Sequence, residues 1–398
     1  MTTRDIPWLQ FTLKVASRCN LACTYCYVYE TGDNSWRERP RIMPDEVFDA
    51  AVRRIVEHCR LSGQTEVDVV FHGGEPSLVG RSRFERWCDA LREATRPIGA
   101  LRLSMQTNGT LVDERWAAVF KAHAITVGVS IDGPPPVHDV ARIDHRGRGS
   151  HARVMAGIEA LRTAGLPIHL LSVVQLGRDP IGIHEHLVSL APSSIAYLMP
   201  DQTWDSIATV HEIHGPTPCA DFLLPILDHW WASGSMDLTV QPFKAMARAI
   251  LGGRTGVDFI GNNPYNYVFV EADGSIEGLD VLRVCQPGLA ATGLNVRTHR
   301  FVDVVNRSAL HRRMLFEGME LPHYCVGCPE AKTCGGGYVP HRWRRATGFD
   351  NRSAWCADLL AVFSRLRQQL DVTASETRLR RQALDELAAE VSHAEGET

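Results

Sequence analysis

Three thiols, Cys19, Cys23 and Cys26, stand in the stretch CNLACTYC with the spacing C-x3-C-x2-C. A loop of this spacing can wrap one corner of an iron–sulfur cubane and give one thiolate to each of three irons. The fourth iron then has no protein ligand, and an open metal position is where a bound molecule is activated. A zinc knuckle is the alternative, but it needs four ligands from paired Cys or Cys/His units, and no His or further Cys lies close by. Tyr25 and Tyr27 flank the last thiol and offer flat apolar surface beside the metal. A second group, Cys325, Cys328, Cys334 and Cys356, begins as C-x2-C-x5-C. Four thiols of this kind hold either zinc or a cubane. The C-x5-C step and the glycine run after Cys334 are unlike a zinc ribbon. Cys59, Cys88 and Cys219 fall in helical texture as core thiols, and Cys285 stands without partners in the sequence.

Three polar turns follow strand-like runs and are candidate ligand contacts. In Gly73-Gly74-Glu75-Pro76 the glycines allow backbone oxygens to approach an ammonium group. Gln106-Thr107-Asn108-Gly109 and Ser130-Ile131-Asp132-Gly133 end the next two strands. Each is by itself an ordinary turn. Arg142, in HDVAR, is either a surface arginine or a planar fork for a carboxylate.

The elements that must position these groups alternate. A strand over 8–15 leads into the cysteine loop, and a helix follows Pro44 with Val47, Ala51 and Ile55 on one face. Strands are predicted at 66–71, 101–107, 126–131, 168–174 and 194–199, with helices at 81–95, 113–123, 150–164, 181–190 and about 220–231. Such alternation is an α/β pattern with a parallel sheet wrapped by helices. Six units are too few for a closed eightfold barrel, so a curved partial barrel with ligands at the strand C-termini is expected. From Gly252 onward Gly and Pro punctuate shorter runs, with a hairpin signal at Asp273-Gly274. Helical spacing returns after Cys356, and the charged, Ala/Leu-rich segment 376–391 is expected as a docking or solvated helix.

Composition narrows the function. The 398 residues include 42 Lys and Arg against 46 Asp and Glu, a net charge of −4. This balance provides no basic footprint for nucleic acid. The chain opens MTTRDIPW, without a signal-peptide pattern, and has no membrane-length apolar run, so a cytoplasmic protein is expected. In a reducing compartment eleven cysteines read as metal ligands and core thiols.

The motifs TLKVASRCNLACTYCYVYE, FHGGEP, QTNG, VSIDGP, HDVAR, TGLNVRTH and CGGGYVPHRW…GFDNRSAWC together resemble those of radical S-adenosylmethionine (radical SAM) enzymes with a SPASM domain. The closest resemblance is to the FxsB-type peptide maturases, which form cyclophanes in ribosomally made peptides. The resemblance implies a TIM-like radical SAM core, a partial (β/α)6 barrel, over 1–235. It implies a SPASM-type auxiliary-cluster domain over 236–358 and a helical segment over 359–398. It implies a [4Fe–4S] cluster on Cys19, Cys23 and Cys26. S-adenosylmethionine would be held by Tyr25, Gly73, Gly74, Glu75, Gln106, Asn108, Ser130, Asp132 and Arg142. Leu279 and Tyr338 stand where a two-cluster SPASM domain has cysteines. One auxiliary [4Fe–4S] cluster is therefore expected, on Cys325, Cys328, Cys334 and Cys356. Asp280 matches the acidic position that serves as base in anaerobic sulfatase-maturating enzymes; a solvated hairpin carboxylate is its other reading.

The implied reaction joins a side-chain Cβ to an aromatic ring of a precursor peptide. Thioether cross-linking and Cα epimerisation are alternatives, the latter with Cys285 as the candidate hydrogen donor. A non-catalytic iron–sulfur redox protein is a further one, but it gives no reason for GGEP, QTNG and HDVAR to accompany the first cluster. An electron donor such as flavodoxin or ferredoxin is expected as a partner, with neither nucleic acid nor membrane. The seven residues before the first strand cannot form a leader-binding domain. The peptide is thus expected to bind the barrel mouth and second domain directly, or to arrive on a separate protein.

Overall fold

A computed structural model describes residues 6, 8–234, 237–261 and 263–396. The chain folds into two compact units whose segments interleave. The first comprises Met1–Val173, Gly182–Pro200 and Pro264–Glu317; the second comprises Val174–Ile181, Asp201–Asn263 and Gly318–Thr398. The sequence places sequential boundaries at 235 and 358, whereas the units take turns along the chain. The segment Pro264–Glu317, grouped by sequence with the second domain, packs in the first unit.

In the first unit six strands run parallel: β1 (Gln10–Ala16), β2 (Glu66–Gly73), β3 (Ala100–Thr107), β4 (Ile125–Ser130), β5 (Ile168–Val173) and β6 (Ser194–Leu198). The helices between them include α1 (Asp45–Ser62), α2 (Arg81–Thr95), α3 (Glu114–Ala122), α4 (Pro135–Ala141), α5 (His151–Thr163) and α6 (Pro180–Ser189). A two-residue strand in the second unit, β7 (Thr239–Val240), precedes three more strands of the first: β8 (Tyr267–Val270), β9 (Ser275–Glu277) and β10 (Ala291–Asn295). Within the first unit the strand order is β10-β9-β8-β1-β2-β3-β4-β5-β6. This is the partial parallel sheet expected of the α/β class. β8 extends it by pairing parallel to β1, and β9 returns antiparallel through the Asp273-Gly274 turn, where Gly274 has φ 87°.

The apolar pattern explains the layering. In β2, Val67, Val69 and Phe71 are buried on one face, while Asp68, Val70 and His72 alternate on the other and stay partly accessible. Amphipathic helices cover the apolar side. α1 carries acidic Asp45 and Glu46 in its first turn and ends at Gly63 with φ 69°, a left-handed cap. Its Phe48 stacks on Trp87 of α2 at 4.5 Å, so adjacent helices lock over the sheet. Because the strands run parallel, every chain reversal after a strand C-terminus falls on one edge of the sheet. The cysteine loop and the three polar turns all lie there.

The second unit is helical and loop-rich. It contains α7 (Ile207–His214), α8 (Pro218–Ser233), α9 (Gln241–Ile250) and the helices Cys356–Leu370 and Ala374–Gly396. Asp358, fully buried, accepts the Ala220 backbone N–H at 2.9 Å and ties the helix of Cys356 to α8. Leu379 and Leu384 on the last helix are exposed. Among the described residues no helix is long and apolar enough to cross a membrane.

Candidate active site

The cysteine loop leaves β1 and is held from behind by the segment that follows α4. Ala22 N–H donates to Ile143 O at 2.7 Å, Thr24 N–H donates to Ala141 O at 3.0 Å, and the His145 ring contacts Cys19 O at 2.9 Å. The one loop carries Cys19, Cys23 and Cys26, and Cys26 N–H donates to Cys23 O at 3.1 Å. Burial pushes the Cys19 thiol up to about 12, with Glu75 adding to it, and the Cys23 thiol up to about 11. Thiolates so desolvated need a cation to form, and the iron of a cluster would supply that charge. Donors already face the sulfurs. Leu21 N–H lies 3.4 Å from Cys19 Sγ, the Asn108 amide lies 3.6 Å from the same atom, and backbone N–H groups of Val28 and Tyr29 favour the Cys26 thiolate. Among the described residues no three His, Cys, Asp or Glu side chains gather round a single metal ion. Three thiols on one loop are a donor set for a cluster in which each thiolate would take its own iron.

Gly73 and Gly74 are glycines because the GGEP turn presses against the end of β1. A Cβ on Gly73 would sit 2.3 Å from Ala16 O, and one on Gly74 would sit 2.0 Å from Tyr29 Oη. Glu75 is fully buried and accepts from Ser77 N–H, the Ser77 hydroxyl, Thr107 Oγ1 at 2.7 Å and Asn108 N–H at 2.7 Å. Burial pushes its carboxyl up against the pull of these four donors. Its side chain thus clamps the GGEP turn to the QTNG turn. The Gln106 amide donates to Ser130 Oγ at 2.9 Å, and Asn108 bonds Asn20 Oδ1 at 2.9 Å.

Asp132 and Arg142 form a buried pair, with Arg142 Nε 2.8 Å and Nη2 3.3 Å from the carboxylate. Tyr25 donates its hydroxyl to Asp132, and the Arg142 guanidinium lies 5.5 Å from the Tyr25 ring centre. Burial works against the Arg142 charge, but Asp132, Tyr25 and Cys23 outweigh it and raise its pKa. The fork expected to face a cofactor carboxylate is thus directed at Asp132 and locks Tyr25 beside the thiols.

Asp280 lies in a short 3-10 turn, Asp280–Val284, and is 1 % exposed. Its carboxylate meets Lys14 Nζ at 3.0 Å and accepts from the Tyr27 hydroxyl at 2.7 Å, one residue beyond Cys26. Lys14 also pairs with Glu271 at 3.0 Å. Arg39 and Arg283 each contact both Glu271 and Glu277. Three cations therefore balance three anions out of water. Burial opposes the Asp280 charge, yet Lys14, Arg283, His72 and Tyr27 together hold its carboxyl below the ordinary value. Burial, then repulsion from Glu271, pushes Glu277 up. Lys14, Arg39, His72, Glu271, Glu277 and Arg283 escaped the sequence reading. Leu279, beside Asp280, is buried at 1 % exposure.

In the second unit Cys325, Cys328, Cys334 and Cys356 couple electrostatically with one another, and burial pushes Cys334 up to about 12. Gly335, Gly336 and Gly337 all have positive φ, from 64° to 86°, so their carbonyls converge on buried Arg342. Cys285 follows the turn of Asp280 and is partly buried, and Tyr338 packs its ring 5.1 Å from His341.

A parallel sheet with a three-cysteine loop and polar turns along its C-terminal edge defines an enzyme class, the radical SAM enzymes. Residues 13–189 match the model of the Radical SAM superfamily. The chain is 25% identical over 342 residues to the cysteine-type anaerobic sulfatase-maturating enzyme of Clostridium perfringens, covering 83% of this chain and 89% of that protein. Its fold matches native anSMEcpe with bound AdoMet, with TM-score 0.78 and 22% identity over 91% of this chain and 99% of the other. Streptococcus suis SuiB bound to precursor peptide SuiA has a similar fold, with TM-score 0.58 and 14% identity over 88% and 76%. The chain is a radical SAM enzyme, and its cofactors are S-adenosylmethionine and [4Fe–4S] clusters.

Proposed function

We propose that the enzyme cross-links a ribosomally made peptide, joining a side-chain Cβ to an aromatic ring two residues away. Cys19, Cys23 and Cys26 would hold a [4Fe–4S] cluster supplying the electron that cleaves S-adenosylmethionine to a 5′-deoxyadenosyl radical, and Cys325, Cys328, Cys334 and Cys356 one that accepts an electron. Closing the ring breaks one Cβ–H and one aryl C–H bond and makes one C–C bond. One hydrogen leaves as an atom to 5′-deoxyadenosine; the other leaves as a proton, together with one electron.

The proton needs an acceptor beside the cysteine loop. The observation that carries this reading is the Asp280 carboxylate, ionised, buried and hydrogen-bonded to Tyr27. Arg142 and Asp132 fix Tyr25, and the glycines of GGEP expose backbone to an incoming ammonium group. The relative named as a cysteine-type anaerobic sulfatase-maturating enzyme supports a second outcome, maturation of a sulfatase.

Co-expression with the peptide encoded by the small open reading frame beside the gene distinguishes the two. A cross-link removes two hydrogens and suppresses backbone fragmentation across the joined residues in tandem mass spectrometry. A peptide left unchanged, with a co-expressed sulfatase modified instead, favours the second outcome.

A further inference from the structure

His72 carries a ring nitrogen that no group among the described residues satisfies. It lies on the face of β2 opposite Val69 and Phe71, directly in register with Lys14 of β1. Gln106 of β3 stands one residue beyond the Phe71–Met105 pair, on the same face. Lys14, His72 and Gln106 thus form one row across the C-terminal edge of the sheet. Two of the three are engaged, Lys14 with Asp280 and Glu271, and Gln106 with Ser130. Among the described residues His72 Nδ1 is buried and has no hydrogen-bond partner.

We infer that His72 is a substrate-positioning residue, whose Nδ1 makes a hydrogen bond to a polar backbone group of the peptide and holds it against Asp280. This rests on the peptide-modifying reading. A native protein seldom leaves such an atom unpaired, so a bound ligand is its natural partner. Burial, with Lys14 alongside, keeps the imidazole neutral, and Asp280 and Glu271 do not reverse this. A neutral ring offers one lone pair and one N–H, the complement of a peptide amide. Lys14, in register with His72, pairs with Asp280 at 3.0 Å, so His72 and Asp280 flank the same side chain.

The test uses reconstituted holoenzyme, the peptide encoded beside the gene, and the variants His72→Leu and His72→Gln. Leucine removes the hydrogen bond, and glutamine restores an amide that can make it. His72→Leu is expected to raise the peptide KM roughly tenfold or more and to lower cross-linked product formed per 5′-deoxyadenosine. His72→Gln is expected to recover most of both. Neither KM nor that ratio depends on the fraction of enzyme that folds. An unchanged peptide KM and ratio in His72→Leu, or a rise confined to the KM for S-adenosylmethionine, overturns the assignment. Wild-type enzyme that forms 5′-deoxyadenosine but leaves the peptide unmodified overturns the peptide reading, and this inference with it.

Discussion

Replacing Asp280 by asparagine removes one of three buried anions and keeps the shape of the side chain. Lys14, with a side chain 3% exposed, then shares Glu271 with Arg39 and Arg283, so three cations face two carboxylates. An uncompensated buried charge of this kind costs about 3–5 kcal/mol, read as a shift of the urea midpoint under anaerobic conditions. Loss of a general base is expected to lower cross-linking by about 10²- to 10⁴-fold. 5′-Deoxyadenosine formation should persist, because hydrogen abstraction precedes proton loss. The second variant, Lys14→Met with Asp280→Asn, separates the two roles. It leaves Arg39 and Arg283 against Glu271 and Glu277, a balanced set in which each arginine still meets both carboxylates. Stability should return to near wild type while cross-linking stays low. A double variant that regains both would refute the reasoning, because Asp280 would then serve only to balance Lys14.

Further outcomes follow from other parts of the molecule. Reconstituted enzyme should hold about eight irons per chain, and the triple Cys19/Cys23/Cys26→Ala variant roughly half of that, with no 5′-deoxyadenosine formed; a wild-type content near twelve would reveal a further cluster. Glu75→Gln replaces one acceptor oxygen with a donor that Thr107, Ser77 and Asn108 cannot use, and should lower stability by about 2–3 kcal/mol in urea titration. His138, lowered to about 4 by burial and by Arg142, stays neutral in the fold while the unfolded chain protonates near pH 6.5. The unfolded state therefore binds more protons below that value, and stability is lost as pH falls from 6.5 towards 4. Between pH 7.5 and 5.5 this one group should account for about 1.3 kcal/mol, absent in His138→Gln.

The parallel strands were legible because each carries an apolar run that alternates with a helical pattern, and β1 to β6 lie within two residues of their expected bounds. α4 was not, since Pro134-Pro135-Pro136 reads as a turn although proline suits a first helical position. That helix holds the cysteine loop, so its omission hid why HDVAR sits where it does. The turns GGEP, QTNG and SIDGP were visible as candidates, but their internal bonding was not. Sequence spacing cannot show that Glu75 clamps two turns or that Arg142 faces Asp132. The charge network was least legible, because Lys14, Arg39, His72, Glu271 and Arg283 come from four separate stretches. Strand register aligns Lys14 with His72, and ion pairs from the loop of Arg39 and the turn of Arg283 complete the set.

Within the proposed reaction, the depressed pKa of Asp280 is compatible with its role as base. A ring carbon bonded to a fourth substituent gives up its proton readily, because aromaticity returns when it leaves. The acceptor then needs negative charge and position more than intrinsic basicity, and Lys14 and Tyr27 fix both. Once protonated, Asp280 leaves Lys14, Arg39 and Arg283 facing only Glu271 and Glu277, in a set whose side chains are 1–8% exposed. That imbalance pushes the proton out again and resets the base for the next turnover. Burial, assisted by Lys14, keeps His72 neutral beside this set against the pull of Asp280 and Glu271.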